Sequence, residues 1–265
     1  MKRQLTQAAT ANPCCVPFFT GTIDQASQLV IEQARAHVGG YAILCNVHVL
    51  MSAQDDHACR GALDEAWKVF PDGAPIAWLQ RRLGNPDARR VGGPDLMPAV
   101  LDRGRPLKIR HFLFGSQPHV IEELSGRLRA RYPGVEICGS LAPAANSEES
   151  ELSLDAIRST TPDIVWVALG APKQEAWMRR HAVALRPALL IGVGAAFDFA
   201  AGTRNRAPRW MQRVGLEWLH RLGSEPERLF RRYLVTNSAF LLFALPLLAR
   251  GLRARFRPNI GVGRG

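Results

Sequence analysis

The eight residues Asp163–Gly170, DIVWVALG, decide the fold class. A short, almost wholly apolar run that ends in glycine is typical of a parallel strand buried on both faces. Comparable runs are YAILCN at Tyr41–Asn46 and ALLIGVG at Ala188–Gly194, and helical patterns separate such runs from one another. This alternation predicts βαβ units, and therefore an α/β core with a mainly parallel sheet and helices on both faces.

Three local expectations come from the first hundred residues. Asp24 is the expected N-cap of a first helix that runs through about Ala36, because aspartate readily accepts from free N–H groups. One helix is predicted from about Val47 into the region of Ala62. The segment that starts at Lys68 leads into a turn, Pro71-Asp72-Gly73.

The positive charge lies almost entirely at one end of the chain. The formal net charge is +11, and the residues from Thr203 onward hold thirteen Arg and three Glu but neither Lys nor Asp. We therefore divide the chain into an α/β catalytic core, residues 1–202, and a basic helical appendage, residues 203–265. Such asymmetry indicates nucleic acid, an anionic membrane surface or a phosphorylated ligand as the partner of the appendage.

The appendage begins with RNRAPRWMQRVGLEWLHRLGSEPERLFRR, at 204–232. Its apolar residues recur at three- and four-residue steps, which predicts amphipathic helices. The use of arginine without lysine favours bidentate recognition of phosphate or carboxylate. A solvated basic helix face explains the same pattern, and from the residues alone both interpretations stay open.

The uncharged run Tyr233–Ala249 follows, with arginines on both sides. It is shorter than the roughly 20 residues of a spanning helix, so we predict a helix that lies in the membrane interface. An ordinary core helix and a short single span are the alternatives. The polar N-terminus lacks the apolar region of a signal peptide, and the five cysteines are scattered, so we expect a cytoplasmic protein on the inner face of the membrane.

Ligands of parallel α/β sheets bind beyond the carboxyl ends of the strands. Asn46 and Gly115 fall at such ends, and the free N–H groups after Gly115 favour an anion such as a diphosphate. The sequence contains no GxGxxG and no GxxxxGK[ST], so NAD and P-loop ATP chemistry are unsupported. The histidines form no HxxxH or HExxH array and Asp-x-Asp does not occur, so we expect neither a metal nor a cofactor. Asp72 is either a turn residue or a general base beside a ligand cleft.

Several longer motifs occur in order along the chain. They are PDG at Asp72, RVGGPDL at 90–96, FGSQP at 114–118, ALGAPKQE at 168–175, GVGAAFDFAAG at 192–202, RAPRWMQRVGLEWLHRL at 206–222 and EPERLFRR at 225–232. Together they resemble the WecG/TagA/CpsF family of bacterial glycosyltransferases. The resemblance covers roughly residues 22–232.

The resemblance implies a Rossmann-like core with a membrane-associating helical appendage. It implies an inverting, metal-independent transfer of a sugar from a UDP-sugar to an undecaprenyl-diphosphate-linked acceptor at the inner leaflet. Asp72 corresponds to the family's proposed general base, and the appendage supplies catalytic arginines to the active site. The residues assigned by this resemblance and by their position at strand ends are Asp72, Arg221, Arg228 and Arg231 as catalytic groups, and Asn46, Arg90, Gly115, Gln174 and Asp198 as substrate-binding groups.

Two departures from the family pattern concern the substrate pocket, and the second of them bears on the donor. Leu44 stands where the family often has Thr, and Ser140-Leu141-Ala142-Pro143 replaces a frequent Gly-Tyr-Phe. The second departure resembles exopolysaccharide branches, so the expected donor sugar is glucose or another hexose, not N-acetylmannosamine. The expected partners are the UDP-sugar, the lipid acceptor and the anionic membrane surface, without nucleic acid, and a homo-oligomer is left open. The alternative functions are a basic nucleic-acid-binding protein and a non-catalytic partner in a polysaccharide assembly complex.

Overall fold

Six strands form one sheet in which every neighbouring pair is parallel, in the order β2-β1-β6-β5-β3-β4. The structure is a computed structural model, and it describes residues 16–144 and 150–255. The strands are β1 Gly40–Cys45, β2 Lys68–Pro71, β3 Arg110–Gly115, β4 Glu136–Leu141, β5 Ile164–Ala168 and β6 Leu189–Gly192. The predicted α/β class with a parallel sheet is confirmed, and the run that begins at Asp163 is β5, in the interior of the sheet.

Helices cover both faces of this sheet. In chain order they are α1 Ile23–Arg35, α2 Val47–Asp55, α3 His57–Glu65, α4 Ala74–Arg82, α5 Gly93–Gly104, α6 Pro118–Arg131, α7 Glu151–Ser159, α8 Lys173–His181, α9 Ala196–Ala201, α10 Arg209–Arg213, α11 Glu217–Ser224 and α12 Pro226–Arg255. Side chains of α2, α3, α4, α7, α8 and α12 share one buried cluster, and those of α1, α5, α6 and α9 share the other. The strands contribute alternate residues to the two clusters, which explains their continuous apolar sequences.

Two local predictions were wrong, each because of a capping interaction. Thr22, not Asp24, caps α1 through a capping box with Gln25. The single helix predicted from Val47 is two helices, because Asp56 accepts from the backbone N–H groups of the next helix and thereby starts it. The segment that starts at Lys68 forms β2, which pairs with β1 before the chain bends at Gly73.

The last helix, α12, packs on the core along one stripe only. Phe240, Ala244 and Leu247 are buried in the same cluster as the side chains of α2, with which α12 is in contact. The segment Leu229–Ala249 is long and apolar enough to cross a membrane by length and composition, with mean hydropathy 1.4, although 18% of it is buried in the protein. The segment is longer than the uncharged run because it begins before the arginine pair at 231–232.

His111 is a buried histidine of the core that gives the fold a specific acid sensitivity. Its Nδ1 accepts from Trp166 Nε1 at 3.2 Å, and its Nε2 has no hydrogen-bond partner among the described residues. Burial lowers the pKa of His111 from 6.5 to about 3, because the charged ring would have to be desolvated. The unfolded chain therefore takes up a proton at a higher pH than the folded chain does.

Acidification should consequently destabilise the protein through this residue. Stability is lost as the pH falls below about 6.5 and continues to fall until about pH 3. Between pH 7 and pH 4 the contribution is about 3 kcal/mol in the free energy of unfolding. Urea unfolding should show this loss in the wild type and a smaller loss in His111→Asn, which keeps an acceptor for Trp166 but does not titrate. Equal losses in the two proteins would contradict the assignment.

Candidate active site

Asp72 lies at the carboxyl edge of the sheet, immediately after β2. Its backbone N–H donates to the carbonyl of Cys45 at 2.9 Å, and the N–H of Val91 donates to the carbonyl of Pro71 at 2.8 Å. The residue is therefore held by the end of β1 on one side and by the loop before α5 on the other. Its side chain is 24% exposed, so the carboxylate is set into the surface but remains accessible from outside.

Two glycines allow this loop to approach the sheet edge closely. A Cβ atom on Gly92 would lie 2.9 Å from Asp72 Oδ1 and 3.1 Å from an Arg90 amino nitrogen. A Cβ atom on Gly93 would lie 2.9 Å from the carbonyl oxygen of Val193, which follows β6. The RVGG motif is thus a close-packed loop that places Arg90 beside Asp72 and joins the ends of β2 and β6.

The appendage reaches this loop through paired charges. Arg206 donates to both carboxylate oxygens of Asp95, at 2.6 and 2.8 Å, and its Nε donates to Glu217 at 3.1 Å. An amino nitrogen of Arg90 lies 2.7 Å from the other oxygen of Glu217, and Arg90 Nε lies 4.0 Å from Asp72 Oδ1. A chain of alternating charges therefore runs from the appendage to Asp72.

The surroundings raise the pKa of the Asp72 carboxyl above its usual value. Burial is the main cause, and the negative charges of Glu217 and Asp95 act in the same direction. Arg90 and Arg221 act in the opposite direction and favour the ionised form. A carboxyl with a raised pKa at an accessible strand end is suited to accept a proton, because a general base works best when its pKa is near the working pH.

Of the three arginines predicted to be catalytic, Arg221 is the one whose charge acts on Asp72 in the described part of the structure. It lies on α11, its guanidinium stands over the ring of Phe199 at 6.0 Å from the centroid, and its charge acts on Asp72. Arg231 is exposed on α12 and forms no ion pair with the described residues. Arg228 also belongs to α12, but its side chain lies outside what the structure describes. The sequence prediction for these two arginines therefore stays a prediction.

Asn46 and Gln174 lie at the same edge of the sheet as Asp72, after β1 and beside the end of β6. Gln174 is buried at the start of α8, with its Nε2 donating to Glu175 and its Oε1 lacking a hydrogen-bond partner in the described part of the chain. That oxygen faces Gly194, since a Cβ atom there would lie 3.8 Å from it. Asn46 follows β1, and its Oδ1 accepts from Val49 N–H at 3.1 Å as the N-cap of α2. The side-chain nitrogen of Asn46 has no such role and is available to a ligand.

The remaining two predicted substrate-binding residues are Gly115, at the end of β3, and Asp198, on α9. Gly115 ends β3 with φ of 107°, and a Cβ atom there would lie 2.7 Å from the backbone of Ala168. Glycine is therefore required at this position for close approach of β3 and β5, and its part in substrate binding stays a prediction. Asp198 on α9 pairs with Arg204 of the appendage at 3.4 Å. This ion pair is a second link between core and appendage, and substrate contact by Asp198 remains untested.

In residues 16–144 and 150–255, no three His, Cys, Asp or Glu side chains group in a way that would hold a metal ion. Metal independence itself stays a prediction of the sequence, which requires a direct assay.

The family model for the glycosyl transferase WecG/TagA/CpsF family matches residues 12–254 of the chain. The chain belongs to this family. The match extends through both the α/β core and most of the appendage, so the family assignment includes the segment whose Glu217 and Arg221 act on Asp72. The protein is accordingly a glycosyltransferase by family.

A curated member of the WecG/TagA/CpsF family gives a more specific comparison. The chain is 33% identical over 196 residues to an N-acetylglucosaminyldiphosphoundecaprenol N-acetyl-beta-D-mannosaminyltransferase from Bacillus spizizenii. The alignment covers 74% of this chain and 75% of that protein.

The sequence motifs contained three residues whose roles were not predicted. Asp95, Arg206 and Glu217 lie within quoted motifs, and in the structure they form the ion pairs that join the appendage to the loop at Arg90. The sequence did offer a signal for Glu217, because it is the one acidic residue in the arginine-rich range 204–224. Such an acid is a candidate for a specific pair, because it is surrounded by potential partners.

Proposed function

We propose that this member of the WecG/TagA/CpsF family transfers a sugar from a UDP-sugar to an undecaprenyl-diphosphate-linked acceptor in cell-surface polysaccharide synthesis. The observation that carries the proposal is the accessible Asp72 carboxylate at the strand ends, with a raised pKa and with guanidinium groups from the core and the appendage around it. The name of the Bacillus relative supports a lipid diphosphate-linked acceptor. We propose residues 203–265 as an appendage that completes this site.

The reaction is a single displacement with inversion at the anomeric carbon. Asp72 accepts the proton of an acceptor hydroxyl while that oxygen forms its bond to the anomeric carbon. The bond from the anomeric carbon to UDP breaks, and UDP leaves with the electron pair. Arg221, with Arg228 and Arg231 as further candidates, neutralises the charge that develops on the diphosphate. Asn46, Arg90 and Gln174 bind the substrates at the same sheet edge.

The appendage fits a membrane surface because it exposes apolar and basic side chains together. Among the described residues of the appendage, the large apolar side chains that are exposed are Trp210, Val214, Trp218, Leu219, Phe230, Leu234, Val235, Leu241, Leu242 and Leu245. A groove of about 230 Å³ between α11 and α12 is lined by several of these residues. With one stripe of α12 packed on the core, the opposite stripe is free to enter the interface while arginines meet anionic headgroups.

The decisive experiment is a transfer assay with the full-length protein, anionic vesicles that carry a short lipid diphosphate-linked GlcNAc acceptor, and a panel of UDP-sugars. The relative makes UDP-N-acetylmannosamine the first donor to test, whereas the departure at Ser140-Leu141-Ala142-Pro143 favours glucose or another hexose. We expect one donor to be transferred, activity to persist in EDTA, and the protein to sediment with the vesicles. Absence of transfer with every donor would overturn the proposal, and strict Mg²⁺ dependence would overturn its metal-free form.

The nucleic-acid alternative rested on the basic charge of the appendage. Because the family match includes that appendage, its charge has an explanation in the lipid diphosphate and the membrane surface. We therefore expect no nucleic-acid partner, and tight RNA binding at physiological salt would contradict this expectation.

A further inference from the structure

We infer that Glu217 is a positioning residue that holds the Arg90 guanidinium away from the Asp72 carboxylate. Asp72 is therefore free to accept a proton only while the appendage is docked on the core. The inference rests on the proposed function, in which Asp72 accepts the acceptor proton. It assigns to the appendage a role beyond supplying arginines to the substrate, because an acidic residue of the appendage sets the state of a base that belongs to the core.

The distances around Arg90 show which carboxylate holds it. An amino nitrogen of Arg90 lies 2.7 Å from Glu217 and 3.8 Å from Asp95, while its Nε lies 4.0 Å from Asp72. Only the first distance is that of a close ion pair, and it is electrostatic, because Glu217 Oε2 makes no hydrogen bond with the described residues. The Glu217 side chain is 14% exposed and that of Arg90 is 23% exposed, so this pair is partly shielded from water.

Glu217 is itself fixed by a second arginine. Arg206 Nε donates to Glu217 Oε1 at 3.1 Å, and the amino groups of Arg206 hold Asp95 on α5. Glu217 Oε1 therefore accepts a hydrogen bond from Arg206, while Oε2 forms an ion pair with Arg90. This bridging geometry places a charge of the appendage next to the base in a defined orientation.

The appendage also contacts the turn that carries Asp72. A Cβ atom on Gly215, which has φ of 78°, would lie 2.7 Å from the Cβ of Ala74. Ala74 is the first residue of α4 and is separated from Asp72 by Gly73 alone. The segment before α11 is thus pressed against this turn, and the position of Glu217 depends on that contact as well as on its ion pairs.

The charges around Asp72 balance only when Glu217 is present. The groups that act on Asp72 are Arg90, Arg221, Glu217 and Asp95, and Arg206 is paired with both acids. Three carboxylates, including that of Asp72, therefore meet three guanidiniums. Loss of the Glu217 charge leaves Arg90 without its nearest partner. Two carboxylates remain within 4.0 Å of the Arg90 side chain, those of Asp95 and Asp72. Asp95 is already bound by Arg206, so Asp72 is the acceptor left for Arg90.

An Arg90 that closes on Asp72 would make it a poorer base in two ways. The guanidinium would occupy the carboxylate oxygens that must receive the acceptor proton. It would also stabilise the ionised form and lower the pKa of Asp72, since an opposite charge in contact favours ionisation. Glu217 acts against both effects, in line with its contribution to the raised pKa of Asp72.

The test is the pH dependence of kcat/KM for Glu217→Gln, whose acidic limb reports ionisation of the base. We expect this limb to move to lower pH by about one unit and the rate at the plateau to fall by about tenfold. The matched control is Glu227→Gln, which removes the same charge from an exposed position in the first turn of α12. Its profile should coincide with that of the wild type. A folded Glu217→Gln protein with an unshifted limb overturns the inference.

A second measurement tests the route through Arg90. In an Arg90→Gln background, Glu217→Gln should shift the limb by less than half as much, because the guanidinium that closes on Asp72 is gone. A full-size shift in that background would overturn the Arg90 route. Should Glu217→Gln not fold, Glu217→Asp keeps the charge but retracts the carboxylate from Arg90, and its limb should move in the same direction. An unshifted limb in that variant would also overturn the inference.

The outcome is separable from that of the proposed function. Failure of the proposed function appears in the wild type as absence of transfer, or in Asp72→Asn as normal transfer. Failure of the present inference appears when the wild type is active and Asp72→Asn is inactive, but the Glu217 variants keep the wild-type pH profile.

Discussion

Asp72→Asn is expected to lower turnover at saturating substrates by about 10²-fold or more, because the asparagine amide cannot accept the acceptor proton. Substrate binding should change little, since the side chain keeps its size and its place after β2. The loss should therefore appear in kcat and not in KM. The measurement is steady-state transfer from the UDP-sugar that the panel identifies to the lipid-linked acceptor.

The variant should fold as well as the wild type. Burial raises the pKa of Asp72, so its charged form is disfavoured in the folded protein and its removal costs no stability at neutral pH. Asp87→Asn is a matched control, because Asp87 is an exposed acid in the loop between α4 and α5. That control should retain normal turnover. Near-normal turnover of a folded Asp72→Asn protein would remove Asp72 from the role of base.

The strand run at Asp163 shows why the core was predictable from sequence. Ile164–Ala168 is buried on both faces in the interior of the sheet, so almost every position must be apolar, and the sequence records this directly. Asn46, Asp72 and Gln174 could be placed at one sheet edge for the same reason, since the carboxyl ends of parallel strands lie together. Their exact partners, such as the use of Asn46 Oδ1 as an N-cap, required the structure.

The contacts between core and appendage were not predictable in the same way. Asp95 and Arg206 are 111 residues apart in sequence, and their pairing depends on how α5 and the appendage meet in three dimensions. Composition likewise could not separate the two sides of α12. Phe240, Ala244 and Leu247 are buried in the core, whereas Leu241, Leu242 and Leu245 are exposed on the same helix. Apolar residues serve either environment, so only the packing decides which stripe is which.

Arg206→Ala is expected to lower transfer, by at most about 150-fold, because it removes ion pairs that fasten the appendage to the core. The two hydrogen bonds from Arg206 to Asp95, at 2.6 and 2.8 Å, are charge-assisted and only partly exposed. Their loss costs about 2–3 kcal/mol, which corresponds to a factor of about 30 to 150 in the equilibrium constant between the docked and undocked appendage. Glu217 loses one of its two guanidiniums in the same variant, so Arg90 is held less firmly as well.

Three comparisons make this prediction specific to the pairing. Arg213→Ala removes an exposed arginine from α10, so its transfer, measured at saturating vesicles, should stay near that of the wild type. Arg206→Lys keeps the charge but loses the planar fork, and an intermediate activity is expected. Asp95→Asn should impair transfer in the same direction, and the Arg206→Ala/Asp95→Asn double variant should lose much less than the product of the two single losses. Independent losses would mean that the pair does not hold the appendage.

Limited proteolysis measures the docking of the appendage directly. The segment before α10 should be cleaved faster in Arg206→Ala than in the wild type, while the α/β core remains resistant.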